Sequence, residues 1–342
     1  MNKHFKSLSI LAAAAVMLPA LAGAQEKSIY GDDNRLDYFE ASPAMRTLAD
    51  SVVSLWPSKQ VTFENGAYKL KTIGFGEALN LCPGEKFREQ PIGAFCSGTL
   101  VGEDIVMTAG HCITDDKSCA DARFVFGYNI DNGGGAARTT VPQKDLYGCK
   151  RIIKRDLDKQ PSGIIGTGIF IAGALLGKQQ GPDYALIQLD RKVEGRKPLP
   201  VNRSGGAKVG DRIFVIGHPV GLPLKVAGDA SVRNTDPKAF FLTDLDTFGG
   251  NSGSAVFNSA TNMIEGILVR GGTDFVDGPA GCKVQLRSGQ NEGKGEAVTK
   301  ISVLQKYIPE IGSYKAAGPE VRGVSVEQVS LENEELSRKV QF

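Results

Sequence analysis

Histidine is scarce in this chain, with 3 residues among 342. One of them, His4, lies at the extreme N-terminus, so only His111 and His218 remain for the rest of the protein. The chain also contains no CxxC pair. Zinc is usually held by four ligands drawn mainly from cysteine and histidine. The sequence therefore gives little support to a metal site, and we expect no metal and no cofactor.

No apolar run favours a membrane span. The N-terminal run in MNKHFKSLSILAAAAVMLPALAGAQ follows Lys3 and Lys6 and ends at the small residues Ala22-Gly23-Ala24. A spanning helix needs about 20 apolar residues, and this run is shorter. The pattern predicts a signal peptide over residues 1–24, cleaved near Ala24-Gln25. We therefore expect a secreted or periplasmic protein.

Charge of one sign is also lacking. Without Lys3 and Lys6, 38 of the 40 basic residues remain against 38 acidic ones. A chain with no formal net charge has no general basic surface for nucleic acid or anionic lipid. We expect polypeptide partners, no nucleic acid, and a monomer.

One internal segment is strongly apolar but interrupted by glycine. It is SGIIGTGIFIAGALLG, residues 162–177. Glycine weakens helices, and sixteen residues are too few to span a bilayer. A buried strand or insert is favoured over a loop that contacts a membrane or a partner.

The chain divides into four parts by composition. Residues 25–60 form an N-terminal arm or a removable propeptide, in which Ser42-Pro43 favours the start of a short helix. Residues 61–312 carry the main domain, and residues 313–342 form a polar tail.

Short β-strands dominate the main domain. VTFENGAYKLK has Asn65-Gly66 between two alternating segments, which predicts a hairpin. Gly, Pro, Asn and Asp separate the other strands and favour an all-β sandwich or barrel pair over βαβ units. The other strands are predicted over 104–108, 123–128, 151–154, 184–189, 212–216, 240–243 and 264–270. Ile301, Leu304 and Ile308 recur at helical spacing and predict a closing C-terminal helix.

Six cysteines, an even number in an exported chain, predict disulfides. Cys96 and Cys112 flank a predicted strand, and a bond between them would limit the movement of the loop that carries His111. The other four cysteines allow three pairings. Cys119–Cys149 is favoured because it would close a loop between neighbouring strands. Cys82–Cys282 then follows by elimination.

Ser252 lies in the glycine-rich stretch TFGGNSGSAV, which could be an ordinary turn or could present a nucleophile. A serine hydroxyl needs a neighbouring base, and histidine is the usual one near neutral pH. His111, in IVMTAGHCI, follows a predicted strand and is the candidate. His218, in FVIGHPVGLP, is interpreted as a structural residue at a strand end.

Three motifs together resemble the chymotrypsin-like serine peptidases. They are CSGTLV…TAGHC, DYALIQLD and GGNSGSAVF, in that order, and the stretch GNSGS resembles the bacterial glutamyl-endopeptidase branch more than the digestive trypsins. The resemblance covers roughly residues 60–310. It implies an all-β fold of two six-stranded β-barrels with an active site in the cleft between them.

The resemblance also implies a role for each motif residue. Ser252 would be the nucleophile, His111 the general base, and Asp183 the acid that orients the imidazole. The backbone N–H groups of Gly250 and Ser252 would form the oxyanion hole. An alternative for Asp183 is a turn residue after Gly181-Pro182.

The sequence indicates the substrate specificity less clearly than it indicates the catalytic residues. Asp246, six residues before Ser252, stands where trypsin-like members have an acid that binds the Lys or Arg side chain of the substrate. The alternative, that Asp246 caps a turn, is almost equally favoured. Thr247 fits both branches. Leu268 occupies the place of the histidine that glutamyl endopeptidases carry. Substrate should pair with residues 269–271, among which Arg270 could neutralise Asp246 or favour acidic substrate residues.

The sequence therefore predicts an exported serine endopeptidase with a preference for cleavage after Lys or Arg. The open alternatives are a glutamate-specific endopeptidase of the same fold, an esterase, and a secreted binding protein on a peptidase scaffold. Asn251 precedes the serine where trypsin-type zymogens carry an acid, so their activating ion pair cannot form here.

Overall fold

The structure is a computed structural model and describes residues 29–157 and 181–311. The predicted signal peptide (1–24), apolar segment (162–177) and polar tail (313–342) lie outside these ranges. In the part of the chain that is described, no helix is long and apolar enough to cross a membrane.

Strands account for most of the regular structure. In chain order they are β1 (Ile29–Tyr30), β2 (Arg35–Asp37), β3 (Val52–Pro57), β4 (Val61–Glu64), β5 (Ala67–Leu70), β6 (Ile73–Gly74), β7 (Pro91–Ile92), β8 (Cys96–Gly102), β9 (Ile105–Thr108), β10 (Ala122–Phe126), β11 (Thr140–Pro142), β12 (Leu146–Leu157), β13 (Asp183–Leu189), β14 (Arg212–Gly217), β15 (Lys225–Asn234), β16 (Phe240–Thr243), β17 (Ala255–Asn258), β18 (Ile264–Arg270), β19 (Phe275–Asp277), β20 (Lys283–Gln285), β21 (Arg287–Ser288) and β22 (Glu296–Lys300). The α-helices are α1 (Pro43–Ala49), α2 (Phe75–Ala78) and α3 (Asp116–Asp121).

Two six-stranded barrels are formed, as the resemblance implies. The first is closed in the order β10-β12-β13-β9-β8-β3. The second follows the order β14-β17-β18-β22-β16-β15 and closes through the pairing of β14 with β15. β2 extends the second barrel by pairing with β15.

Alternation along β14 explains how the barrels pack together. Ile213 and Val215 point into the core of the second barrel. Phe214 and Ile216, on the opposite face, join the apolar cluster that also contains the core of the first barrel. Successive side chains of a strand point to opposite faces, so a strand buried on both faces connects the two cores.

The predicted hairpin and the predicted first helix are both present. β4 and β5 pair around Asn65 and Gly66, which have positive φ values of 51° and 81°. The α1 helix starts at Pro43, and the Ser42 hydroxyl accepts a hydrogen bond from Met45 N at 3.3 Å.

Two boundaries differ from the sequence analysis. β3 is a strand of the first barrel, so the barrel begins before residue 61; its run VVSLWP is buried on both faces and lacks the alternation that marks a half-buried strand. The predicted closing helix is instead two 3₁₀ segments, Ile301–Val303 and Gln305–Tyr307. Leu304 separates them with φ −124°, although its side chain is buried as expected.

The N-terminal segment packs onto the second barrel. β1 pairs in parallel with β21. The buried carboxylate of Asp246 accepts hydrogen bonds from Tyr30 N at 2.7 Å and from Asn34 N at 3.2 Å. Burial is the main cause that raises the pKa of Asp246 to about 7, and the nearby Asp33 adds to it.

All six cysteines are paired in the combination that the sequence favours. The disulfides are Cys82–Cys282, Cys96–Cys112 and Cys119–Cys149. Cys96–Cys112 ties the start of β8 to the loop that follows β9, and Cys119–Cys149 ties α3 to β12.

Trp56 tests whether β3 belongs to the folded domain. Its ring is fully buried and meets Tyr128 edge-on at 5.1 Å, whereas Phe63 on the hairpin is 54% exposed. Trp56→Ala should lower the free energy of unfolding by about 3–5 kcal/mol because it leaves a cavity. Phe63→Ala should change it by less than about 0.5 kcal/mol. Denaturant titration followed by circular dichroism measures both, and equal values would contradict the placement of β3.

Asp246 should make stability depend on pH. Between about pH 4 and 7 the native carboxyl keeps a proton that the unfolded chain releases, so the free energy of unfolding falls as pH rises. Asp246→Asn removes this titration. The free energy of unfolding of wild type minus that of the variant should therefore fall between about pH 4 and 7, by up to about 1.4 kcal/mol per pH unit. Parallel curves for the two proteins would refute the assignment.

Candidate active site

His111 and Asp183 are brought together by two paired strands of the first barrel. Thr108, at the end of β9, pairs with Ala185 of β13, so the residues just beyond them are neighbours. His111 Nδ1 lies 2.7 Å from Asp183 Oδ2, and the His111 backbone N–H donates to Asp183 Oδ1 at 3.1 Å. The carboxylate is buried at 3% exposure, while the imidazole is 38% exposed. Asp183 therefore fixes the Nδ1 side of the imidazole, while another part of the ring remains accessible to solvent.

The second barrel holds Asp183 from behind. The Thr299 hydroxyl on β22 accepts from Asp183 N at 3.2 Å and donates to Asp183 O at 3.0 Å. Thr299 is fully buried. Nothing in the sequence marks Thr299 as a site residue, because its strand carries no motif.

Ser252 lies in a turn that packs directly on the first barrel. Its carbonyl accepts a hydrogen bond from Ser97 N of β8 at 2.9 Å. The next residue, Gly253, has φ 92°, and a Cβ there would overlap Ser97 O and Thr108 Oγ1. Only glycine permits this approach, which brings the serine turn beside the loop of His111.

The sulfur atoms of Cys96 and Cys112 lie within 4.8 Å of a ring nitrogen of His111. These sulfurs are joined in a disulfide, so neither is a thiolate that could bind a metal. Their arrangement holds the loop of His111 and is not a metal site.

The peptide between Gly249 and Gly250 has a defined orientation. Val220 N donates to Gly249 O at 2.5 Å. The carbonyl and the N–H of a trans peptide point in opposite directions, so the Gly250 N–H faces away from Val220. Gly250 has φ 83°, a conformation that favours glycine. The Val220 loop therefore does not cover the Gly250 N–H.

Asn251 and Thr247 bond to each other inside the serine loop. Asn251 Nδ2 donates to Thr247 Oγ1 at 2.6 Å, and Ser254 Oγ donates to Asn251 Oδ1 at 2.7 Å. Thr247 and Asn251 are both buried. These bonds brace the turn without an ion pair, in agreement with the expectation that Asn251 cannot form one.

The Asp246 carboxylate is hydrogen-bonded to the N-terminal segment. Its two carboxylate oxygens bind the backbone of the N-terminal segment, as described above. A second buried acid lies nearby: Glu296 receives a long hydrogen bond from Tyr30 Oη at 3.5 Å. Burial raises the pKa of Glu296 well above its usual value, and Asp274 and Asp246 add to the shift. The Glu296 carboxylate lies against Gly271, where it occupies the position that a Cβ would take.

Residues 268–271, which are predicted to contact substrate, differ in burial and in hydrogen bonding. The Leu268 side chain is part of the core of the second barrel, so it does not line a substrate pocket as predicted. Its position on an alternating strand turns it inward. Val269 is also buried, Gly271 is exposed, and Arg270 donates to Gly181 O at 2.9 Å.

His218 has the structural role that the sequence analysis assigns to it. The ring is buried, stacks on Tyr128 at 5.8 Å, and places Nδ1 3.0 Å from Leu222 O. Burial lowers the pKa of His218 to about 3. The ring is therefore neutral at physiological pH, with Nδ1 as the donor.

Two curated proteins align with about half of this chain. The secreted RxLR effector protein 73 of Plasmopara viticola is 26% identical over 191 residues, which cover 52% of this chain and 42% of that protein. The glutamyl endopeptidase of Staphylococcus aureus (strain MRSA252) is 26% identical over 182 residues, which cover 52% and 43%. The chain thus spans less than half the length of these relatives.

Two solved structures are similar at low identity. A Glu endopeptidase in complex with MPD is 17% identical with a TM-score of 0.41, and the match covers 80% of this chain and 93% of that one. The VesB protease of Vibrio cholerae is 16% identical with a TM-score of 0.45, and the match covers 80% and 66%.

A family model gives the most specific match. The model of the trypsin-like peptidase domain aligns with residues 96–267, which are half of the chain. The matched range contains His111, Asp183 and Ser252 and most strands of both barrels. The chain belongs to the trypsin-like peptidase domain family.

Proposed function

We propose that this protein is a serine endopeptidase in which Ser252 attacks the peptide bond. The observation that carries the proposal is the 2.7 Å contact between His111 Nδ1 and the buried Asp183 carboxylate. It leaves Nε2 on the more exposed side of the ring, as a general base requires. The packing of the Ser252 turn against the same loop supports the third role.

The reaction follows from these roles. Ser252 Oγ attacks the carbonyl carbon and passes its proton to His111 Nε2, while Asp183 stabilises the imidazolium through Nδ1–H. The backbone N–H groups of Gly250 and Ser252 bind the oxyanion that develops. His111 then protonates the leaving amine, and water hydrolyses the acyl-enzyme by the reverse sequence of proton transfers.

The charges near Gly271 favour a cationic substrate side chain. Asp246 and Glu296 are buried acids near this strand end, and Asp274 is close enough to affect Glu296. A Lys or Arg side chain would stabilise the ionised form of these acids, whereas a glutamate would destabilise it further. The similarity to a glutamyl endopeptidase supports cleavage after Glu as the second candidate.

We further propose that the protein acts outside the cytoplasm. Three disulfides are typical of oxidising compartments. One relative is named as a secreted protein, which is consistent with a cleaved signal peptide over residues 1–24. A polypeptide is the proposed substrate, and a secreted binding protein remains the alternative from another class.

Ser252→Ala tests the nucleophile and the specificity together. Wild type and variant are incubated with an unbiased peptide mixture, and the cut sites are mapped by mass spectrometry. Wild type should cut after Lys or Arg and react with a fluorophosphonate probe. The variant should remain folded and do neither, because it lacks the hydroxyl.

Each other outcome has a distinct meaning. Cuts after Glu would retain the peptidase but reject the cationic preference. Folded wild type that neither cuts peptides nor reacts with the probe would favour the binding protein. Undiminished hydrolysis by Ser252→Ala would reject the mechanism.

Gly250→Ala tests the oxyanion site against a matched control. A Cβ at Gly250 would lie 3.0 Å from Val220 N and from Gly221 N, in a residue with φ 83°. Turnover should fall by about 10²-fold or more because the N–H donor moves. Gly66→Ala has a similar φ of 81° and open space, so it should cost about 1–2 kcal/mol in stability without reducing turnover. Equal turnover of the two variants in a peptidase assay would contradict the assignment.

A further inference from the structure

Ser97 is a fully buried residue of β8 that contacts both loops of the second barrel around the candidate oxyanion site. Its backbone N–H donates to Ser252 O at 2.9 Å. Its hydroxyl lies between His218 N, at 2.9 Å, and Gly250 O, at 3.3 Å. One side chain of the first barrel thus bridges two separate segments of the second.

The direction of these hydrogen bonds is determined by chemistry. A backbone N–H can only donate and a backbone carbonyl can only accept. The Ser97 oxygen therefore accepts from His218 N, and the Ser97 O–H donates to Gly250 O. Because both capacities of the hydroxyl are used, removing it leaves a buried N–H without its acceptor, which is costly.

The two peptides on either side of Gly250 Cα are both held. Val220 N–H binds the carbonyl of Gly249 at 2.5 Å. Ser97 Oγ binds the carbonyl of Gly250, and Asn251 N donates to Phe248 O at 3.1 Å. Glycine rotates more freely than other residues, so its conformation here depends on these external contacts.

The loop that contains Val220 is itself constrained. Val220 has φ 47°, which is unfavourable for a β-branched residue and persists only where the surroundings impose it. Gly93 N binds Gly221 O at 3.1 Å on one side, and Ser97 Oγ binds His218 N on the other. The Ser97 hydroxyl therefore contributes to both contacts that orient the Gly250 peptides.

We propose that the Ser97 hydroxyl is a positioning residue for the oxyanion site, acting through the carbonyl of Gly250 and the backbone of His218. The proposal rests on the proposed function for its catalytic consequence. Its structural consequence, the immobilisation of the Val220 loop, can be tested without activity.

Ser54 provides a matched control. It pairs with Ser97 in the β3–β8 register and is equally buried. Its hydroxyl also accepts one N–H, from Trp56 Nε1 at 2.9 Å, and donates to one backbone carbonyl, that of Val125, at 3.2 Å. Both of these partners belong to the first barrel, so Ser54→Ala reproduces the loss of a buried hydroxyl away from the loops of Gly250 and Val220.

The experiment compares wild type, Ser97→Ala and Ser54→Ala by steady-state kinetics and by hydrogen exchange. The substrate is the peptide that wild type cuts fastest. Ser97→Ala should lower kcat about 10-fold to 100-fold and change KM less than about threefold. This loss of kcat is smaller than the roughly 10²–10³-fold expected when an oxyanion-hole donor is itself removed. The amides of His218 and Val220 should exchange faster in Ser97→Ala only. Ser97→Cys, nearly isosteric but a weak donor, should show the same effects if the alanine variant fails to fold.

Equal kcat for Ser97→Ala and Ser54→Ala would overturn the proposal, as would equal exchange at Val220. If wild type neither hydrolyses peptides nor reacts with a fluorophosphonate, the proposed function fails instead. The exchange comparison then still decides the role of Ser97: faster exchange of Val220 supports it, and unchanged exchange rejects it.

Discussion

The close approach of Gly253 to the first barrel is the constraint on which the candidate site depends. Without a Cβ, its backbone reaches Ser97 and Thr108, and the turn of Ser252 lies beside the loop of His111. Any larger residue would separate the two loops, because the overlapped atoms include a backbone carbonyl that cannot move without disturbing β8. Packing between the two barrels therefore brings the turn of Ser252 and the loop of His111 together.

Other contacts between the two barrels reinforce the approach of Gly253 to the first barrel. Thr299 of the second barrel binds both backbone groups of Asp183, and Ser97 of the first binds three backbone groups near Ser252. All these side chains are buried, where hydrogen bonds are costly to leave unmade. The Cys96–Cys112 disulfide adds a covalent link beside His111. The site is consequently supported on elements that cannot shift independently.

The N-terminal segment completes the side of the second barrel next to the serine loop. Tyr30 and Asn34 bind Asp246, and the buried Arg35 guanidinium pairs with Asp33 at 2.6 Å while it lies over the Phe248 ring at 4.2 Å. A segment that looks like a separate arm in sequence is thus part of the peptidase domain. Besides burial, its Asp33 carboxylate raises the pKa of Asp246, and its buried Arg35 guanidinium lowers it.

The sequence by itself determined the all-β class, the hairpin at Asn65-Gly66, the presence of disulfides and the order His111, Asp183, Ser252, whereas the pairing of Cys82, Cys119, Cys149 and Cys282 was only favoured. These features depend on local alternation, turn residues and short motifs. Only the tertiary structure decided that Asp246 binds the N-terminal segment, that Leu268 faces the core, and that Ser97 and Thr299 support the site. The physical reason is distance along the chain: Tyr30 and Asp246 are separated by 216 residues, and no local pattern encodes which backbone amide meets a buried carboxylate.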